Sequence, residues 1–170
     1  YKDQFSYVPD NPDLFTKYTG NEYLNFLSNI YNLDLNTRKE RINKYAKAFE
    51  LEDALDNQIS SYSHGMAQRL ALIGALIHNP NVLILDEPMV GLDPKSAHNL
   101  KAIMREVAKD GKTVFFSTHV MEIAQQICDR IAIIKNGQII ACGTYEEIKK
   151  DSDKTLEELF LELTSQLPHA

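Results

Sequence analysis

The chain has 170 residues, 44% hydrophobic and 25% charged, enough for one ordinary domain or a core with a subdomain. Its formal charge of −6 argues against a dedicated nucleic-acid binder, because neutralising phosphates needs a clear basic surface. Cys128 and Cys142 make neither a disulfide framework nor a metal-ligand spacing and read as reduced core thiols, while the apolar run 70–77 is far short of the ~20 residues that span a bilayer.

Phe5-Ser6-Tyr7-Val8 predicts a short strand, ended by the turn-rich Pro9-Asp10-Asn11-Pro12. Helical spacing places Tyr23, Phe26, Leu27 and Ile30 on one face over 21–32. The same spacing aligns Ile42, Tyr45, Ala46 and Phe49 over 37–49, and 53–59 reads as a connecting helical turn. Ser63 stands as the N-cap of a helix running to about 78, where Asn79-Pro80 stops it. From there strands and helices alternate: strand Val82–Leu85, helix 95–109, strand Thr113–Phe116, helix 121–128. Strands at 131–134 and 138–141 flank Asn136-Gly137, a strong two-residue hairpin turn, and helices near 145–150 and 156–163 close the pattern.

The most informative stretch is Val82-Leu83-Ile84-Leu85-Asp86-Glu87-Pro88. Four consecutive aliphatic residues suit a strand buried on both faces, as in a parallel sheet covered by helices. An acid at the carboxyl end of such a strand can hold Mg²⁺, and a second can orient a water towards a phosphate. Alone, the heptad reads equally as a buried strand ending in a solvated acidic turn. Its neighbours decide. Tyr62-Ser63-His64-Gly65-Met66-Ala67-Gln68-Arg69 lies upstream, Gly91-Leu92-Asp93 lies downstream, and Ser117-Thr118-His119 follows a second aliphatic strand.

Together these motifs resemble the ATP-binding subunit of an ABC transporter, from its glutamine-loop region to its carboxyl end. The resemblance implies an α/β fold: an incomplete P-loop NTPase-like parallel-sheet core with an inserted helical subdomain. Residues 1–19 would supply the glutamine-loop region and a core strand, 20–78 the helical subdomain with the signature helix, and 79–170 the rest of the core. It further implies ATP and Mg²⁺ as cofactors, a second ATP-binding subunit arranged head to tail, and an integral membrane subunit driven by ATP hydrolysis. No nucleic acid is expected, and the location implied is cytoplasmic, peripheral on the inner face of the cell membrane.

The resemblance also assigns residues. Ser63, His64, Gly65 and Met66 match the signature segment, which closes over the γ-phosphate of ATP held by the opposing subunit. Read alone, Ser-x-Gly before a helix is more often an ordinary cap than an anion site. His64 stands in place of the usual glycine, Tyr62 in place of leucine and Met66 in place of glutamine, so closing geometry is in question. Asp86 matches the Mg²⁺-associated aspartate, Glu87 the catalytic glutamate that polarises water, and His119 the switch histidine that contacts the γ-phosphate. Asp93 matches the loop that couples the two sites, and an N-cap before Pro94 is compatible with that role. Asp10 occupies the place of a glutamine that reaches Mg²⁺ and water, in a loop that also contacts the membrane subunit. A carboxylate can bind Mg²⁺ through oxygen, but with shorter reach, and read alone Asp10 is a turn residue. Asp10, His64 and 12–23 look more like exporter-type ATPases than importers.

One motif of the resembled family, G-x-x-x-x-G-K-[ST], does not occur in these residues. Gly111-Lys112-Thr113 is the only Gly-Lys-Thr, and the motif's first glycine would fall on Glu106. A phosphate loop follows a strand and opens a helix, whereas Gly111 precedes a strand and reads as a helix C-cap and turn. The chain, which begins at Tyr1, is therefore expected to be a fragment carrying half a nucleotide site and inactive alone. Two other readings remain open: a soluble relative acting in translation or DNA repair, and a non-catalytic interaction module.

Overall fold

The computed structural model describes residues 4–150 and 154–165, so the outer ends of the first and last sequence segments lie outside the described residues. The chain divides into two compact units, Tyr1–Ser117 and Thr118–Ala170.

In the first unit, β1 (Phe5–Val8), β2 (Val82–Leu85) and β3 (Thr113–Phe116) form a parallel sheet in the order β1-β2-β3. The route from β1 to β2 passes through α1 (Gly20–Ile30), α2 (Leu35–Ala48), 3-10 turns at Glu52–Ala54 and Ile59–Ser61, and α3 (His64–Leu76). α4 (Pro94–Lys109) connects β2 to β3. Each helix start is chemically fixed. Thr19 and Glu22 form a reciprocal capping box on α1, and the side chains of Asp34, Ser63 and Asp93 cap α2, α3 and α4.

Strand alternation sorts the sheet into two faces. Ser6, Val8, Leu83 and Leu85 are buried, with α3 packed on β1 and α4 on β3. Phe5, Tyr7 and Phe115 lie on the other face and remain 53%, 57% and 62% exposed. The expectation that β2 is buried on both faces is thus corrected: Val82 and Ile84 are only half-buried, because within the first unit α3 and α4 pack on the opposite face. α3 is the central helix, with every residue from Leu70 to Leu76 buried.

The second unit contains α5 (Met121–Ile127), the antiparallel pair β4 (Ile131–Lys135) and β5 (Gln138–Gly143), α6 (Tyr145–Lys149) and α7 (Leu156–Ser165). Asn136 and Gly137 take φ of 49° and 75°, as a type I′ hairpin turn requires. Ala124, Ile131, Ile133 and Leu156 form its core. Cys142, expected in a core, is exposed, whereas burial raises the pKa of the Cys128 thiol; both are free. Among the described residues no helix is long and apolar enough to cross a membrane.

Candidate functional site

The parallel register places the carboxyl ends of three strands side by side, with Val8 opposite Leu85 and Leu85 opposite Phe116. The ladder continues past them: the Asp86 N–H donates to the Val8 carbonyl at 2.9 Å and the Ser117 N–H to the Leu85 carbonyl at 3.0 Å. Asp86, Glu87 and Ser117, together with the loop carrying Asp10, consequently share one edge. Asp86 and Glu87 are half-buried there, and Asp10 is exposed. The Ser117 hydroxyl donates to Asp86 Oδ1 and accepts the Glu87 N–H at 3.0 Å. Glu87 holds φ of 44°, an uncommon conformation for a residue with a side chain.

A second cluster forms where α3 begins. Ser63 Oγ accepts the Met66 N–H at 3.3 Å, leaving the hydroxyl proton to donate elsewhere. The backbones of Gly65 and Gly91 are in close approach: a Cβ on Gly65 would lie 2.5 Å from the Gly91 carbonyl oxygen. The His64 ring covers Gly91, whose φ of 77° favours glycine. Asp93 Oδ1 accepts the Lys95 and Ser96 N–H groups at 3.0 and 2.9 Å, and Ser96 Oγ donates to Oδ2 at 2.6 Å. The Ser96 hydroxyl, then its N–H, with a smaller part from Arg69, hold the Asp93 carboxyl below the ordinary carboxylate range. Arg69 joins these pieces, with Nε 3.2 Å from the Gly65 carbonyl and Nη1 3.0 Å from the Phe49 carbonyl and 3.7 Å from Asp93 Oδ2.

His119 belongs to the second unit and is exposed, in a turn where the Val120 N–H donates to Thr118 Oγ1 at 3.1 Å. The structure therefore brings Asp86 and Glu87 together on one edge with the Asp10 loop, and groups Ser63, His64 and Gly65 with the Asp93 loop. Sequence reasoning gave no separate role to Ser117 or Arg69. Both stand inside recognised motifs, and that proximity was the signal available.

The described residues contain no group of three or more His, Cys, Asp or Glu that could cage a metal. Mg²⁺ at phosphate sites is held by one or two carboxylates, with water and phosphate oxygens completing its shell. The oxygen-only edge of Asp86 and Glu87 fits such an ion. A groove of about 490 Å³ opens elsewhere in the first unit, lined by Pro9, Pro12, Leu14, Tyr23, Leu27 and Ile30 among others.

A parallel sheet with helices packed against it, delivering adjacent carboxylates at the carboxyl ends of its strands, is an α/β arrangement of the class whose ligand sites lie at that edge. A family model described as ABC transporter matches residues 1–90. The chain is 34% identical over 169 residues to the ABC-type transporter ATP-binding protein EcsA of Bacillus subtilis, covering 98% of this chain and 68% of that protein. It is 40% identical over 144 residues to the ABC transporter ATP-binding protein YxlF of the same organism, covering 85% of this chain and 48% of YxlF. A solved structure titled as the ATP binding subunit of an ABC transporter superposes with a TM-score of 0.92 at 33% identity, covering 96% of this chain and 70% of that one. The ATP-binding cassette MJ0796, a dimer bound to ADP and Pi, superposes at 0.74 with 26% identity, covering 84% of this chain and 63% of that one. The chain belongs to the ABC transporter family, among its ATP-binding subunits. It spans less than half the length of YxlF and about two thirds of EcsA.

Proposed function

We propose that this chain is part of the ATP-hydrolysing motor of an ABC transporter, with Glu87 as the group that polarises the attacking water. The observation that carries this reading is the Asp86–Glu87 pair, presented at a parallel-sheet edge and tied to the neighbouring strand through Ser117. When bound, Mg²⁺ would neutralise developing charge on the phosphate chain, with Asp86 and Asp10 as the residues that would hold it. Glu87 supplies the proton acceptor. Its carboxylate is carried by a backbone that is hydrogen-bonded on both sides of the sheet edge, which favours positioning over mobility. Ser63, His64, Gly65 and Met66 offer an anion-facing helix N-terminus to a nucleotide on a second ATP-binding subunit, with Asp93 coupling the sites. His119 is assigned to the γ-phosphate of the nucleotide.

The membrane subunit is assigned to the groove beside β1 and α1. Phe15, Tyr18 and Phe26 stand near one another as exposed rings, with centroids 5.5 Å apart for Phe15–Tyr18 and Phe15–Phe26, and α1 supplies Tyr23, Leu27 and Ile30 to the groove. Docking there would hold the protein at the cytoplasmic face of the membrane. Transporter relatives favour this reading over a soluble role in translation or DNA repair.

The test is Glu87→Gln in the full natural chain. Turnover should fall at least about 100-fold while ATP binding persists, because the substitution removes a proton acceptor but keeps the shape. Parental turnover in that variant would remove Glu87 from its role.

A further inference from the structure

We propose that Ser117 is a positioning residue for hydrolysis, a single hydroxyl that fixes both acids at the end of β2. The inference rests on the roles of Asp86 and Glu87 given above. Ser117 is not on a loose loop: its own N–H extends the β2–β3 ladder by donating to the Leu85 carbonyl at 3.0 Å. From that anchored backbone the hydroxyl acts in two directions. Its proton goes to Asp86 Oδ1, and its oxygen accepts the Glu87 N–H at 3.0 Å.

Each bond has a consequence. Donation to Oδ1 turns the Asp86 carboxylate so that Oδ2 is left for a hard cation or its water. Acceptance from the Glu87 N–H supports a residue held at φ of 44°, a conformation that persists only where neighbours over-determine it. Alanine or valine at 117 could make neither bond, and threonine could make both. The hydroxyl therefore ties the orientation of both acids to the spacing of two paired strands, the rigid kind of support that a catalytic pair needs. Ser117 is exposed, so water competes for the same partners and the effect of its loss is moderate rather than total.

The experiment compares Ser117→Ala, Ser117→Thr and Glu87→Gln in the full natural chain assembled in its transporter complex. It reads steady-state ATP hydrolysis and amide hydrogen exchange at Glu87. Ser117→Ala should lower kcat about tenfold, leave the half-saturating ATP concentration within about twofold, and speed exchange of the Glu87 N–H about tenfold. Ser117→Thr should restore both readouts. Parental kcat in Ser117→Ala, unchanged exchange at Glu87, a change confined to ATP affinity, or a threonine variant no better than alanine would each overturn the proposal. Glu87→Gln separates the two levels. If it retains turnover, the catalytic assignment fails, while exchange still reports on the clamp. If it is inactive and Ser117→Ala matches the parent in both readouts, the clamp alone fails.

Discussion

At the contact between Gly65 and Gly91 the chain has no room for a side chain, because a Cβ would sit 2.5 Å from a carbonyl oxygen. That close approach draws the start of α3 against the loop leading to Asp93, and Arg69 spans from the Gly65 carbonyl to Asp93 Oδ2. Asp93 is thus both a cap and a member of the cluster, and its titration can be followed separately. Its folded carboxyl lies below the ordinary value, with Ser96 as the main cause. The sign follows from linkage: the cap's contribution is complete above the unfolded value of about 3.9 and is lost as pH falls through the lower folded value. Asp93→Asn keeps a capping oxygen but does not ionise as a carboxylate. Acid unfolding followed from pH 6 to pH 2 should therefore show a shallower loss of stability in this variant, with parallel curves counting against the linkage. The placement of Asp86 and Glu87 at a strand end and of Asp93 as a helix cap was legible in the sequence from the apolar run and from Pro94. The bonds of Ser117 were not, since they reach across 31 positions to Asp86 and 30 to Glu87, and only pairing of β2 with β3 creates them.

Elements were legible to different degrees, for a physical reason. β1, β2 and β3 fall at Phe5–Val8, Val82–Leu85 and Thr113–Phe116, where short apolar runs between turn residues and polar ends predict them. The starts of α1 and α2 lie ahead of the periodic apolar positions, at Gly20 and Leu35, because caps rather than apolar spacing set them. The signal was present as Thr19-x-x-Glu22 and again as Thr144-x-x-Glu147, both of which form reciprocal capping boxes. Burial of β2 on one face was not legible, since an apolar run specifies affinity for cover but not which segment provides it. The α1 box gives a prediction at this scale. Thr19→Ala removes the acceptor for the Glu22 N–H at 3.1 Å and should lower unfolding free energy by about 1 kcal/mol. Thr19→Ser should recover most of that in urea titrations, and an unaltered midpoint for the alanine variant would show that packing of Leu24 alone holds the helix end.

Across the whole molecule, one surface and one missing motif point to the same outcome for this 170-residue chain produced by itself. Tyr7 and Phe115 flank Ile84 in one row of the sheet and Phe5 lies two residues along β1, all on the side away from α3 and α4 and each more than half exposed. An apolar sheet face of this kind binds hydrophobic dyes and associates with whatever apolar surface is available. In the roles proposed above, Asp86 and Glu87 would act only on a phosphate chain already held in place, and the sequence contains no G-x-x-x-x-G-K-[ST] loop to cradle one. The N-terminus of α3 is no substitute, since a single helix end and a serine hydroxyl supply fewer donors than a loop of converging N–H groups with a lysine. The isolated chain should therefore show no steady ATP hydrolysis with Mg²⁺ present, together with dye binding and concentration-dependent association. Supplying a separate polypeptide with a phosphate loop should reduce dye binding and restore nucleotide affinity if the two assemble. Steady hydrolysis by the highly purified chain, abolished by Glu87→Gln, would defeat this account, because the phosphate would then be held by groups within these residues.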